Sequence, residues 1–363
     1  MDNQINNEHL KILIFDNGTA SHVWRFDGMA ARMNRDTPHE VFVAGANQWK
    51  GDTLGANLVI FEMSANPEVV RQAHDQGAKV LYEADDAVID AYGKERKNLM
   101  HIGEDWKNKT IECVNACDGI IVTNKILAEN FARFTDKPIF IYPNYLDFEW
   151  YGDEDWNIQR NSNEIRIGWF GSRGHFEDLR MVLPAIQQVL AKYPNVKFIY
   201  QGYGGMSSDK KVTEIGWGED VFKEIDRSRR EFHISVEPEY WAEKHRALDL
   251  DIGICPLIDD YFNHCKTNIK WMEFAALKTP SVCSPTVYAE HPVFDGKSTV
   301  DHGKTGFIAH TTEDWVKYLS MLVEDKELRR NMGRAAYREV KKNWDLDKHW
   351  DEWQDICNKV VFG

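Results

Sequence analysis

Short, continuously apolar runs alternate with helix-length segments along this chain, and the alternation occurs twice, broken once between Tyr145 and Asn163. The first series places strands at Lys11–Asp16, Glu40–Ala44, Leu58–Met63, Lys79–Glu83, Gly119–Thr123 and Pro138–Tyr142, with helices such as Val23–Met33, Pro67–Gln76 and Lys125–Phe134 between them. Strands that are apolar on both faces and separated by helices predict a parallel sheet covered on both sides. The second series places strands at Ile165–Phe170, Val196–Gln201, Phe232–Val236, Ile252–Pro256 and Ser281–Cys283, and helices at Asp178–Tyr193, Tyr240–Leu248 and Asn268–Leu277. From Thr312 the pattern is helical to the end. The expected fold is α/β, with two tandem doubly wound domains: 1–150, a linker at 151–164, 165–340, and a closing helix within 341–363 that crosses back to the first domain. Ligands of such sheets lie outside the carboxyl ends of the strands. Two sheets joined by a linker therefore face a central cleft, with one ligand held by each half.

Charge and composition narrow the function. The 363 residues carry 44 Lys and Arg against 58 Asp and Glu, a net charge of −14. Residues 1–150 alone hold 15 basic and 23 acidic side chains. That balance argues against broad nucleic-acid affinity and against a cationic membrane-docking face. No run approaches the roughly 18 apolar residues of a membrane span. The polar stretch Met1–His9 does not resemble a secretory signal, so the expected location is cytoplasmic (host cytoplasm for a viral protein). Six cysteines without CxxC spacing read as buried, reduced thiols, and no metal site is expected.

A dinucleotide cofactor does not fit. The first strand runs into Asp16-Asn17-Gly18-Thr19-Ala20-Ser21-His22 with a single glycine, and the second ends Val43-Ala44-Gly45-Ala46 without a carboxylate. The turn Gly168-Trp169-Phe170-Gly171-Ser172-Arg173-Gly174 has glycines at the wrong spacing for G-x-G-x-x-G.

The second half suits a diphosphate instead. In Lys266-Thr267-Asn268-Ile269-Lys270-Trp271-Met272-Glu273, Thr267 or Asn268 can cap a helix whose first N–H groups remain free for an anion. Lys266, Lys270 and Glu273 share one helical face: two ammonium groups for a diphosphate, and a carboxylate one turn deeper for ribose hydroxyls. An exposed helix with ordinary ion pairs is the alternative reading. Gly171-Ser172-Arg173-Gly174-His175 lets backbone approach a ligand, and Arg173 offers a planar fork to phosphate oxygens. Val236, Pro238 and Tyr240, at the end of another strand, are placed to frame a flat base, and Gly303-Lys304-Thr305-Gly306-Phe307 is expected to join the same sheet edge.

At these residues the chain resembles GT-B fold glycosyltransferases, in particular the retaining group called family four. Lys270-Trp271-Met272-Glu273-Phe274-Ala275-Ala276-Leu277-Lys278-Thr279-Pro280-Ser281-Val282 looks like that group's signature helix and following strand. Gly303–Phe307 is similar to its G-x-T-G-hydrophobic turn, and Tyr142-Pro143-Asn144-Tyr145-Leu146-Asp147 to the run before its linker. The resemblance covers about residues 10 to 360. It departs where the group has a second Glu eight positions before Glu273, because Cys265 stands there; His264, Asp259 or Asp260 is the expected substitute. The resemblance implies two Rossmann-like domains and transfer of a sugar, with retention, from a nucleotide-diphospho-sugar of the UDP type to a hydroxyl acceptor. It implies no metal requirement and no cofactor beyond that co-substrate.

Roles follow for named residues. Arg173, Lys266 and Lys270 stabilise the leaving diphosphate, and Asn268 marks the helix N-terminus aimed at it. Glu273 holds the ribose; Gly171, Ser172, His175 and His264 line the donor site. Asp85 and Asp86 position the acceptor or bind sugar hydroxyls, or simply cap a helix. Gly18, Ser21, His22 and Arg25 form an acceptor or diphosphate loop. The acceptor is a glycan or small molecule. The short, Trp-rich, acidic chain also resembles phage-encoded members, some of which modify hydroxymethylated DNA bases; that reading calls for a basic strip from Lys94, Arg96, Lys97, Lys107 and Lys109. A nucleotide-sugar 2-epimerase of the same fold, or an inactive sugar-nucleotide-binding module, are the alternatives.

Overall fold

The computed structural model describes residues 9–18, 21–89, 103–152, 163–202, 205–206, 212–213, 221–289 and 299–363. Two six-stranded parallel sheets carry the architecture. The first comprises β1 (Lys11–Asp16), β2 (Glu40–Gly45), β3 (Leu58–Glu62), β4 (Lys79–Ala84), β5 (Gly119–Val122) and β6 (Ile139–Ile141), in the order β2-β1-β3-β4-β5-β6. The second domain contributes β7 (Ile165–Phe170), β8 (Val196–Gly202), the small antiparallel pair β9 (Gly205–Met206) and β10 (Val212–Thr213), β11 (Arg230–Ile234), β12 (Ile252–Cys255), β13 (Ser281–Cys283) and β14 (Phe307–Ile308). Its sheet order is β11-β8-β7-β12-β13-β14.

Strand periodicity divides each sheet between two cores. Ile12 and Ile14 face a core that runs through the C-terminal helices to one face of the second sheet, while Leu13 and Phe15 face the opposite side. Trp169 and Phe170 divide in the same way in β7. Gly168 has no room for a side chain, since a Cβ would lie 2.4 Å from Leu250. Trp169, Trp271 and Trp315 are all core residues. All six cysteines are buried and unbridged.

Capping sets several element starts. Asn66 with Pro67 opens helix Pro67–Asp75, Asn124 caps Lys125–Phe131, and a Thr311–Asp314 capping box opens Thr312–Glu324. After helix Lys326–Asn343 the chain returns to the first domain. Leu146 pairs with Asp345, Arg32 binds Asp147 and Asp347, and Tyr145 stacks on His349 at 4.2 Å, just ahead of the last helix, Trp350–Phe362. Of the expected linker, 153–162 lies outside the described residues. Helix Glu104–Ala116 and strand β14 have no counterpart in the sequence reading.

No helix among the described residues is long and apolar enough to cross a membrane. Among them, too, no group of three or more His, Cys, Asp or Glu could hold a metal ion.

Candidate active site

The carboxyl ends of the two sheets face each other across a cleft of about 490 Å³. The second domain lines it with Gly171, Ser172 and His175 after β7, and with Lys266, Lys270 and Glu273 around helix Ile269–Ala276. The first domain supplies Gly18 and Ser21 after β1 and Asp85 and Asp86 after β4. Arg173 opens the short 3-10 turn Arg173–His175 beside this wall.

Lys270 and Lys266 each already have a partner. Lys270, 9% exposed, donates to the Phe170 carbonyl and lies over the Trp169 and Phe170 rings at 5.4 and 4.9 Å. Burial lowers its ammonium pKa against the pull of Glu273. Gly171 makes room for it: a Cβ there would come within 3.3 Å of Lys270 Nζ. Lys266 crosses the cleft to an ion pair with Asp86 and rests over Phe262 at 4.3 Å. Burial raises Glu273 to about 7 although Lys270 opposes the shift, and Tyr151 donates a hydrogen bond to its Oε1 at 3.5 Å. His175 is held at 2.8 Å from Asp178, and burial lowers its pKa. Asp178 is itself fully buried and also accepts from Ile258 N and Asn263 Nδ2, so it ties helix Phe176–Lys192 to the loop after β12.

The first-domain wall is acidic. Burial, Asp86 and Glu83 raise Asp85 to about 7. Glu62, at the end of β3, is pushed to about 9 by burial, Glu83 and Asp85, and accepts hydrogen bonds from Asn17 N at 2.9 Å and from Ser21 Oγ. At pH 7 Glu62 is therefore a neutral acid beneath the Ser21 loop.

Several expected residues lie elsewhere. Arg25 turns inward: it is fully buried, donates to Glu83 at 2.5 Å, and reaches the Tyr142 carbonyl and Asn144 at 2.9 and 3.0 Å. It neutralises a buried carboxylate instead of facing a ligand. His22 pairs with Asp27 at 2.9 Å, which raises its pKa, and it does not line the cleft. β11 ends at Ile234, so Ser235 and Trp241 reach the cleft, whereas Val236 accepts the Trp241 indole N–H, Pro238 starts a 3-10 turn and Tyr240 is 60% exposed. His264 joins Asp259 in a separate hollow of about 830 Å³ on the far side of its short helix, and Asp260 caps that helix, so none of the three reaches the cleft. Asn268 precedes helix Ile269–Ala276 without a capping bond; it is 4% exposed and its Nδ2 has no hydrogen-bond partner. The Gly303–Gly306 turn precedes β14 and so sits at the amino edge of the sheet, away from the cleft, where Thr305 accepts from the Trp271 indole. Lys94, Arg96 and Lys97 lie outside the described residues, while Lys107 and Lys109 belong to helix Glu104–Ala116 and do not line the cleft.

Other cleft residues carry no sequence signal. Gln201, next to last in β8, has its Oε1 buried and unpaired, and His245 projects from helix Trp241–Ala247. Trp24 and Trp241 approach across the opening at 6.4 Å. Only tertiary assembly brings these side chains together.

The sequence matches no protein-family profile and none of the curated proteins with which it was compared. Solved structures do share its architecture. A glycosyltransferase from Rickettsia africae superposes with a TM-score of 0.68 at 9% identity, covering 98% of this chain and 100% of that one. Anabaena HepE in complex with UDP-glucose gives 0.63 at 13% identity over 97% and 100%. S. aureus TarM, solved with fondaparinux, α-GlcNAc-glycerol and UDP, gives 0.59 at 13% identity over 84% of this chain, which spans only 55% of TarM. With two parallel sheets meeting at their carboxyl edges, the chain has the fold of the GT-B glycosyltransferases.

Proposed function

We propose that this protein is a glycosyltransferase that moves a sugar from a nucleotide-diphospho-sugar to a hydroxyl acceptor. One observation carries the reading. A single cleft joins Lys270, Lys266, the Gly171-Ser172 turn and Glu273 on one wall to Asp85 and Asp86 on the other. Glycosyl transfer develops negative charge on the departing diphosphate and positive charge on the sugar, and fixed donors aimed at the leaving group are the largest lever on the barrier. Lys270, Lys266 and the first N–H groups of helix Ile269–Ala276 supply such donors, and Arg173, directly after the Gly171-Ser172 turn, is a further one. Glu273 holds the nucleotide, and Asp85 and Asp86 orient the acceptor hydroxyl.

The donor is of the UDP type, the nucleotide found in the HepE and TarM complexes, and transfer proceeds with retention, as the sequence resemblance implies. The acidic first-domain wall favours a neutral glycan or small-molecule acceptor. Lys107 and Lys109 do not line the cleft, which counts against a hydroxymethylated DNA base as the acceptor.

A thermal-shift panel of nucleoside diphosphates and their sugars tests the reading. Ligand at 100 times its dissociation constant stabilises the fold by about 2.7 kcal/mol. Turnover of a bound UDP-sugar without acceptor to a new sugar nucleotide identifies an epimerase instead. No shift with any nucleotide refutes the assignment.

A further inference from the structure

His245 occupies the donor wall, yet nothing in the sequence marks it. Its imidazole is 4% exposed, stacked on Phe170 at 3.8 Å and 15°, with Trp241 on the same helix at 6.3 Å and 21°. Those rings fix its plane. Its Nδ1 is buried, has no hydrogen-bond partner, and lies 4.0 Å from Glu273 Oε1. That separation is too long for a direct hydrogen bond, but one oxygen placed at about 2.8 Å from each atom spans it.

The chemistry of the pair selects what that oxygen belongs to. Burial takes His245 down to about 3, so the ring is neutral at pH 7, with one nitrogen donating and the other accepting. A hydroxyl both donates and accepts, and so satisfies a neutral imidazole and a carboxylate together. A phosphate oxygen or a base carbonyl only accepts and cannot donate to the ionised form of Glu273, whereas a hydroxyl serves either form. Lys270 stands one helical turn before Glu273 on the same cleft wall. A diphosphate held by Lys270 therefore leaves its attached ribose next to Glu273 and His245.

Resting on the donor reading above, we infer that His245 is a specificity-determining residue: with Glu273 it grips one hydroxyl of the nucleotide's ribose diol and makes the protein prefer ribo- over deoxyribonucleoside diphosphates. Tyr151 holds the same carboxyl oxygen through its 3.5 Å hydrogen bond to Oε1. The hydroxyl thus gives the buried Nδ1 of His245 the partner it lacks.

Calorimetric titration tests this with UDP, GDP and ADP and their 2′-deoxy and 3′-deoxy counterparts, on wild type, His245→Phe and His245→Asn. Wild type binds the ribonucleotide about tenfold to a hundredfold tighter than one of the two deoxy forms, because removing that hydroxyl strands buried polar atoms. His245→Phe keeps the ring stacking; it weakens the ribonucleotide about tenfold and leaves that deoxy form unchanged, and His245→Asn, which retains a donor and an acceptor, restores part of the preference. A merely structural histidine would weaken both nucleotides equally, and that result, or an unaltered preference, overturns the inference. Failure of every nucleoside diphosphate to bind wild type overturns the donor reading and this inference together. Binding without ribose discrimination overturns this inference alone.

Discussion

Burial works against the Lys270 ammonium while the proposed donor reading calls for it, and the Lys270→Met substitution separates the two effects. Its ammonium is 9% exposed, donates to the Phe170 carbonyl and rests on two aromatic rings, and burial lowers its pKa from 10.5. The unfolded chain therefore holds this proton more tightly than the native state. Stability rises as pH climbs from the lowered native value through 10.5, and below that window the charged group weighs against folding. Methionine is close in length and removes the charge, while it leaves the Phe170 carbonyl without its donor, a loss of about 1–3 kcal/mol. Relief of the buried charge is of similar size, so net stability changes by less than about 2 kcal/mol. Ligand binding has no such compensation. A charge-assisted bond to a diphosphate oxygen contributes about 1.5–3 kcal/mol, so UDP binds roughly tenfold to a hundredfold more weakly. If the ammonium bears on the leaving group, the transfer rate falls by a further hundredfold or so. Urea unfolding at pH 7 and pH 10, UDP titration and initial transfer rates measure all three. A variant that loses more than about 3 kcal/mol of stability yet binds UDP like wild type would refute the reasoning, because Lys270 would then be a structural ion.

Three further outcomes follow from the same wall and its opposite. Gly171→Ala places a Cβ 2.6 Å from the buried Trp169 ring and 3.3 Å from Lys270 Nζ. It should cost about 1–3 kcal/mol in urea unfolding and weaken UDP binding together. Asp86→Asn frees Lys266 from its cross-cleft partner, with both side chains about one-fifth exposed (23% and 19%). Stability drops by about 1 kcal/mol, whereas UDP affinity rises about threefold to tenfold; weaker binding would show that the pair itself shapes the donor site. Glu62 is raised from 4.5 to about 9, so native protein keeps a proton that the unfolded chain has released, and stability declines as pH rises across that interval. The slope from this group is at most about 1.4 kcal/mol per pH unit, and Glu62→Gln should flatten denaturation midpoints between pH 6 and 9. Equal slopes in both proteins would show that Glu62 is already ionised.

What the sequence makes legible is whatever local rules fix. Ile165–Phe170 and Ser281–Cys283 match their strands residue for residue because each apolar run is bounded by turn-forming residues. Lys270 and Glu273 are legible because helical spacing alone puts them on one face, and Gly171 because it follows a strand end directly. Arg25 is misread because its partner Glu83 lies in a strand 58 residues away, and no local pattern shows that a guanidinium and a carboxylate will be buried together. The Gly303–Gly306 turn has a convincing local form, but its place depends on which edge of the sheet receives it, and a turn before a strand goes to the edge opposite the cleft. His245 and Gln201 stay hidden because a polar residue in a buried element looks like any other until the neighbouring elements arrive.

The absent glutamate at position 265 follows from packing between the domains. Phe262 and Cys265 belong to the same apolar cluster as Leu13, Phe15, Tyr82 and Val122 of the first domain, so the segment before helix Ile269–Ala276 is inserted into the opposite half. Asn124, which caps helix Lys125–Phe131, donates to the Cys265 carbonyl at 2.6 Å, and Asn144 donates to Thr267 at 3.0 Å. Burial pushes the Cys265 thiol up to about 12, a measure of how poorly this point tolerates charge. A carboxylate there would be desolvated and would compete with Asp86 for Lys266, whereas a small neutral thiol fills the space. The next residue, Lys266, emerges at the cleft and meets Asp86. Charge at this end of the site is therefore divided between a lysine on one wall and two aspartates on the other, and the docking that excludes a glutamate from position 265 is what brings those walls within reach of each other.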